Sequence, residues 1–313
     1  MKFYFSLIIE GEKELKKWIW ALALSIGVLA ACGDDEATQV EEPTTNETAN
    51  AETAVEEEHR IIAGTVVLAQ ILDKLNLDAI AVPDTVKDLP ARFDGLPNIG
   101  NAMDPDAEII KSLNPTEVLS VSTLEYDLKT KFEQLKIPVD FVDLSGIDAM
   151  MAEITELGER YNRIEEAKAL NAELQAEIDA VEIASSDKEK PRVLILLGVP
   201  GSYLVATENS YAGDLVRLAG GENVMAGQDA EYLPSNTEYL YESNPDIILR
   251  LAHGMPDEVI KMFDEEFVTN DVWKHFNAVK NGNVYDLEEE LFGTTAALNV
   301  PEALNQLVEI FYK

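Results

Sequence analysis

Cysteine is nearly absent: the 313-residue chain has one, Cys32, so no internal disulfide can form. Histidine is scarce as well, with only His59, His253 and His275. Basic residues are outnumbered, 24 Lys and Arg against 59 Asp and Glu, which gives a formal net charge of -35. Nucleic-acid binding needs clustered cations to neutralise phosphates, so this balance argues against it. "GVPGSY" lacks the Gly-Lys-Ser/Thr ending of a phosphate loop, and Ser202 is not in a Gly-x-Ser-x-Gly nucleophile elbow. Long apolar runs are confined to residues 18–31, a stretch too short for a comfortable membrane span.

That run has the flanks of a signal peptide. Lys16 and Lys17 precede it and "LAAC" closes it at Cys32, a pattern that resembles a bacterial lipobox. There the leader is cut before the cysteine, whose sulfur is then lipidated. Three Glu in the opening "MKFYFSLIIEGEKE" do not suit a basic leader and point to a start near Leu15. After Cys32 comes "GDDEATQVEEPTTNETANAETAVEEE", with no Lys or Arg and almost nothing apolar. Such a segment cannot bury a core and is expected to be a disordered tether. The predicted division is a signal peptide at 1–31 and a lipidated Cys with acidic tether at 32–58. An α/β lobe at 59–158, a bridging helix at 159–187 and a second α/β lobe at 188–313 complete it.

The lobes are read from short apolar runs lying between helical patterns: "IIAG", "AIAV", "EVLSVS", "VDFVDL", then "RVLILLGV", "IILRLA" and "NVYDL". Strands alternating with helices imply α/β architecture. Between the two groups an Ala-, Leu- and Glu-rich stretch predicts a short helix, a break near Gly158 and one long helix. An internal repeat supports two lobes: "AEIIKSLNPTEVLSVST" from Ala107 matches "TEYLYESNPDIILRLAH" from Thr237. Each unit is a helix carrying a Glu, an Asn-Pro turn and a buried strand. In this alignment His253 pairs with Thr123, Glu238 with Glu108 and Leu233 with Met103.

Ligands of open α/β sheets bind beyond the carboxyl ends of the strands. His253 is predicted at such an end, before a helix opened by Pro256. Met103 stands just before Asp104, the expected N-cap, and Pro105, the expected first helical residue. Imidazole and thioether from opposite lobes suit the two axial positions of a haem iron. A hydrogen-bonded loop histidine and a gap-filling core methionine are the alternatives at this point. Met255, two residues from His253, is a weaker ligand candidate, and His275 reads as a helix-surface residue.

"LLGVPGSYLVATENSYAGDLVRLAGGENV", "PDIILRLAHGMPDEV", "NDVWKHFNAVKNGNVYDLEE" and "VLSVST" resemble the haem-binding lipoproteins of iron-regulated surface determinant systems. Those are the substrate-binding components of ABC haem importers. The resemblance covers about Arg60 to Lys313 and includes the lipobox. It implies a class III periplasmic-binding-protein-like fold, two α/β lobes on one long backbone helix. It also implies haem as cargo, with the axial methionine at Met103 in "GNAMDP" and the axial histidine at His253 in "LAHGMP". The family's propionate-contacting region falls on Thr65, Val66 and Val67 and on Thr85, Val86 and Lys87. The first trio opens a helix, and helix N-termini bind carboxylates well. Val86 replaces an aromatic residue of the family, which leaves backbone contacts there; Lys87 reads equally as a solvated lysine. Tyr203 reads as a pocket wall or as core packing. Receptors of this fold use one acidic residue per lobe to meet permease arginines, which assigns that role to Glu108 and Glu238; their alternative role is to favour a helix dipole. The implied protein is a monomer on the extracytoplasmic face of the membrane, held by lipid alone. Its partners would be haem-donor surface proteins, an ABC permease and the permease's ATPase, and it would perform no chemistry. A ferric-siderophore or cobalamin receptor, and an electron-transfer haem protein, are the competing readings. No Cys-x-x-Cys-His attachment favours the last.

Overall fold

The computed structural model describes residues 59–235, 240 and 242–313; Cys32, the expected leader and tether, and Glu238 lie outside them. No described helix is long and apolar enough to cross a membrane. The described strands form two sheets. In the first, β1 (Ile61–Ala63), β2 (Ala79–Ala81), β3 (Glu117–Val121) and β4 (Val139–Val142) run parallel in the order β2-β1-β3-β4. Side chains alternate across a strand, and both faces of this sheet are buried. Ile61, Ala63, Leu119 and Val121 enter the main core with α1 (Val66–Lys74). Ile62, Ala81 and Val118 pack on the opposite face with Ile110 of α2 (Ala107–Leu113) and Phe132 of α3 (Glu125–Leu135).

Two helices follow, α4 (Ile147–Arg160) and α5 (Ile164–Ser185). The break falls at Tyr161–Arg163, where Asn162 has φ +54°, not at the expected Gly158. Gly158 is instead a contact point. A β-carbon there would stand 2.4 Å from Ala167 Cβ and 3.0 Å from the Arg163 carbonyl, so only glycine lets α4 lie this close to α5. With 22 residues α5 is about 33 Å long. Its buried stripe of Ala167, Leu170, Leu174, Ile178 and Val181 joins a single core with residues of both sheets. The three- and four-residue spacing of that stripe is what the amphipathic pattern dictates.

The second sheet is mixed. β5 (Arg192–Val199), β6 (Ser202–Ala206), α6 (Tyr211–Leu218), β7 (Glu222–Asn223), β8 (Tyr232–Pro234) and β9 (Ile247–Ala252) come first. They are followed by α7 (Pro256–Thr269), α8 (Asn277–Asn281), β10 (Val284–Leu287) and α9 (Val300–Phe311). The order is β10-β9-β5-β6-β8, with β7 beside the start of β5. β5 and β6 form a hairpin through Pro200-Gly201, so "GVPGSY" is a strand-joining turn. Strand β9 is buried along its whole length. Its odd-numbered residues face α5 and α9, and its even ones face Phe263 of α7 and Trp273.

The repeat has a backbone signature. Asn114 and Asn244 both adopt left-handed conformations, φ +47° and +37°, immediately before a proline and a strand. Asparagine tolerates that region better than most residues. The halves are also tied directly. Gly146 offers no side chain to cap α4, and the Ile147 N–H donates instead to Asp214 Oδ2 of α6 at 3.1 Å. The Ala296 N–H donates to the Leu144 carbonyl at 2.7 Å.

Candidate functional site

His253 extends the ladder one residue beyond β9, its N–H donating to the Gly198 carbonyl of β5 at 2.9 Å. Gly254 (φ +67°) and Met255 (φ +48°) then turn the chain into α7, which Pro256 opens as expected. The imidazole is half-exposed, yet its Nδ1 is shut off from solvent. Glu289 Oε1, from the loop after β10, lies 3.2 Å from that nitrogen. The approach is a close contact rather than a hydrogen bond, since Nδ1 has no aligned acceptor. Glu289 Oε1 also stands 3.5 Å from the Gly254 N–H. With Nδ1 turned inward, the exposed edge of the ring is the one bearing Nε2. A carboxylate beside one ring nitrogen is a common neighbour of a ligating imidazole, and once that nitrogen donates to it the ring orientation is set.

Met103 lies beyond the carboxyl end of β2. Val82 and Asn98 pair in parallel just past that strand, and the Asp84 N–H donates to the Gly100 carbonyl at 2.8 Å. Asn101 Oδ1 accepts from the Met103 N–H at 2.8 Å. The residue is 64% exposed, which rules out the gap-filling core role. The helix start differs from expectation: Asp106, not Asp104, caps α2, accepting from the N–H groups of Glu108 (2.9 Å) and Ile109 (3.1 Å). Asp104 is drawn off by Lys131 of α3, whose ammonium donates to Asp104 Oδ1 at 2.7 Å and to the Pro105 carbonyl at 3.1 Å. Glu108 is exposed in the first turn of α2.

Thr65 caps α1, its hydroxyl accepting from the Leu68 N–H at 3.4 Å. The N–H groups of Val66 and Val67 precede any intrahelical acceptor and are available to an anion. Gly64 sets this turn against β3, where a β-carbon would fall 2.4 Å from the Leu119 carbonyl oxygen. Thr85 Oγ1 accepts from the Lys87 N–H at 2.9 Å, and Val86 is fully exposed. Thr85 and Lys87 line an open concavity of about 370 Å³ beside Asp84 and Asn98. Tyr203 packs: its ring lies 5.8 Å from Phe263 and 6.2 Å from Trp273, and its hydroxyl donates to Glu266 at 3.3 Å. Burial, with the Glu266 carboxylate, pushes that phenol up to about 12. Apolar side chains are left open on the β2–α2 connection (Val86, Met103), in the first turn of α3 (Tyr126) and on the β9–α7 turn (Met255).

Over residues 61–291 the sequence matches the periplasmic binding protein family. The chain belongs to that family. Among curated proteins, the high-affinity heme uptake system protein IsdE of Staphylococcus aureus is 46% identical over 298 residues, 95% of this chain and 98% of that one. Among solved structures, S. aureus IsdE complexed with heme aligns with a TM-score of 0.79 at 50% identity, over 82% of this chain and all of that one. An ABC transporter substrate-binding protein from Listeria monocytogenes aligns equally well, TM-score 0.79 at 56% identity, over 82% of this chain and 99% of that one. The periplasmic binding protein fold accounts for the two sheets set about α5. Its members are binding proteins, in keeping with the expectation that this chain is not an enzyme.

Two residues at the candidate site escape sequence reasoning, Glu289 and Lys131. Glu289 sits in the acidic run "LEEELF", indistinguishable there from a solvated face, and only the β9–β10 pairing carries it to His253. Lys131 is one of several α3 charges, and nothing local points it at a loop that lies far back in the chain.

Proposed function

We propose that the chain is a lipid-anchored haem receptor of an ABC importer, binding haem with Met103 and His253 as axial ligands. The observation that carries this is the pair of open Lewis bases: a thioether beyond the first sheet and a carboxylate-backed imidazole beyond the second. The substrate-binding relatives, one of them solved with heme, support the same reading. Haem is cargo here, and the protein contributes recognition only. The N–H groups at the start of α1, with the Thr85–Lys87 loop, would receive the propionates, and Val86 would contribute through its backbone. Cys32 would be the lipidated residue, placing the receptor on the extracytoplasmic face. Glu108 and Glu238 would meet permease arginines, since oriented Arg–carboxylate pairs suit reversible docking. Haem would arrive from surface donor proteins and leave through the permease driven by its ATPase.

The test is the axial pair. With wild-type protein six-coordinate and low-spin, His253→Ala should abolish that spectrum, and Met103→Ala should leave a five-coordinate or water-ligated haem held more weakly. Wild-type spectra from both variants would refute the assignment.

A further inference from the structure

An exposed thioether ligates well only if its loop holds the sulfur in place, because an unanchored loop spends entropy on every ligation event. The loop carrying Met103 is anchored unevenly. Its base is fixed by the main chain: the Asp106 N–H donates to the Ile99 carbonyl at 2.7 Å, and the Asp84 N–H to the Gly100 carbonyl. Its tip is tied mainly to itself. Asn101 Oδ1 accepts from the Met103 N–H and the Asn101 carbonyl accepts from the Asp104 N–H at 3.1 Å. Lys131 ties this tip to another element, reaching from α3 to Asp104 Oδ1 (2.7 Å) and the Pro105 carbonyl (3.1 Å). These acceptors belong to the two residues directly after Met103. Lys131 is only partly exposed, whereas Asp104 stands in solvent, so the lysine is the fixed partner and the loop is what it holds.

We propose that Lys131 is the positioning residue for the Met103 ligand, bracing the loop so that the sulfur is presented in its ligating pose. This rests on the reading of Met103 as an axial ligand. Lys131 bonds Asp104 and Pro105 and acts through them. The effect is therefore kinetic lability of one axial bond rather than loss of cargo. A clamp of one partly exposed ion pair plus one hydrogen bond to a carbonyl should change that lability about two- to fivefold. Its ionic part is screened by salt.

The experiment uses the full chain, purified in detergent and loaded with ferric haem. The rate at which added imidazole displaces the thioether is followed through loss of the iron–sulfur charge-transfer band. Lys131→Met should raise that rate about two- to fivefold, by less at high salt, while the apo-protein melting temperature stays unchanged. Lys131→Arg, which keeps a donor fork on α3, should restore most of the wild-type rate. In a Met103→Ala background, Lys131→Met should have no further effect on ligand exchange. An unchanged displacement rate in Lys131→Met, or an equal effect with Met103 removed, overturns the positioning role and leaves the ligand assignment standing. A wild-type spectrum without an iron–sulfur band, unaltered in Met103→Ala, overturns the ligand assignment and the positioning role with it.

Discussion

Replacing Arg250 by methionine tests whether the wall behind His253 is held by charge. Arg250 lies in the middle of β9 and is 7% exposed. Its Nε and Nη2 donate to the two oxygens of Asp286 at 2.7 and 2.6 Å, and Nη1 donates to Asp264 at 2.9 Å. The guanidinium carbon also lies 5.5 Å from the Phe263 ring centre and 5.3 Å from that of Phe267. Burial pulls its pKa down, but the Asp286 and Asp264 carboxylates more than offset this and hold it above the usual value. Asp286 faces Arg250 across the β9–β10 ladder, and the Glu289 that meets His253 follows β10 directly.

Breaking a buried pair costs about 3–5 kcal/mol because a charge is left unpaired in the interior. Here both carboxylates keep access to water, at 63% and 39% side-chain exposure, so they rehydrate when released. Methionine fills most of the vacated volume. The expected loss is therefore about 2–3 kcal/mol, or a fall in melting temperature of about 4–12 °C for a protein of this size. Unfolding of the chain from Glu58 can be followed by tryptophan fluorescence, since Trp18 and Trp20 precede that residue and Trp273 is the remaining one. Trp273 is buried and stacks on Phe267 at 4.4 Å, so the probe reports on this cluster. A melting temperature within about 1 °C of the parent would refute the reasoning.

Gly158→Ala should destabilise by about 1–2 kcal/mol, because overpacking at the α4–α5 crossing outweighs the gain of about 1 kcal/mol in helix propensity; a urea midpoint at or above the parent's would mean the helices part freely. Glu153 of α4 has its pKa raised by burial, against the opposing Asp143 N–H, and further by the Glu156, Asp140 and Asp143 charges. A carboxyl raised in this way weakens the fold once ionised, and the penalty fades as pH falls through the raised pKa. Glu153→Gln should therefore melt higher than the parent at pH 7.5, with the difference shrinking toward acid; a gap that widens on acidification would reverse the sign.

Much of the fold could be read because the strands buried on both faces are apolar runs, as "RVLILLGV" and "IILRLA" are, and because an Asn-Pro turn marks each repeat. What escaped was set by partners distant in sequence. β6, "SYLVA", hides behind a Pro-Gly turn, and β8, "YLP", is a three-residue edge strand ending in proline, which sequence patterns discount. The α2 cap moved from Asp104 to Asp106 because both carboxylates flank one proline and Lys131 claims the first. Gly158 reads as a helix breaker until Ala167 is seen against it. For the site, strand-end position located His253, and its environment depends on Glu289, which no local pattern marks.

The most direct test of the central claim is a visible-absorption titration of the wild-type protein with haemin, run beside a ferric siderophore and cobalamin. The account predicts a saturable one-to-one Soret change with a six-coordinate, low-spin spectrum, and no competition from the other two ligands. Saturable binding of the siderophore or cobalamin with no specific haem spectrum would contradict it.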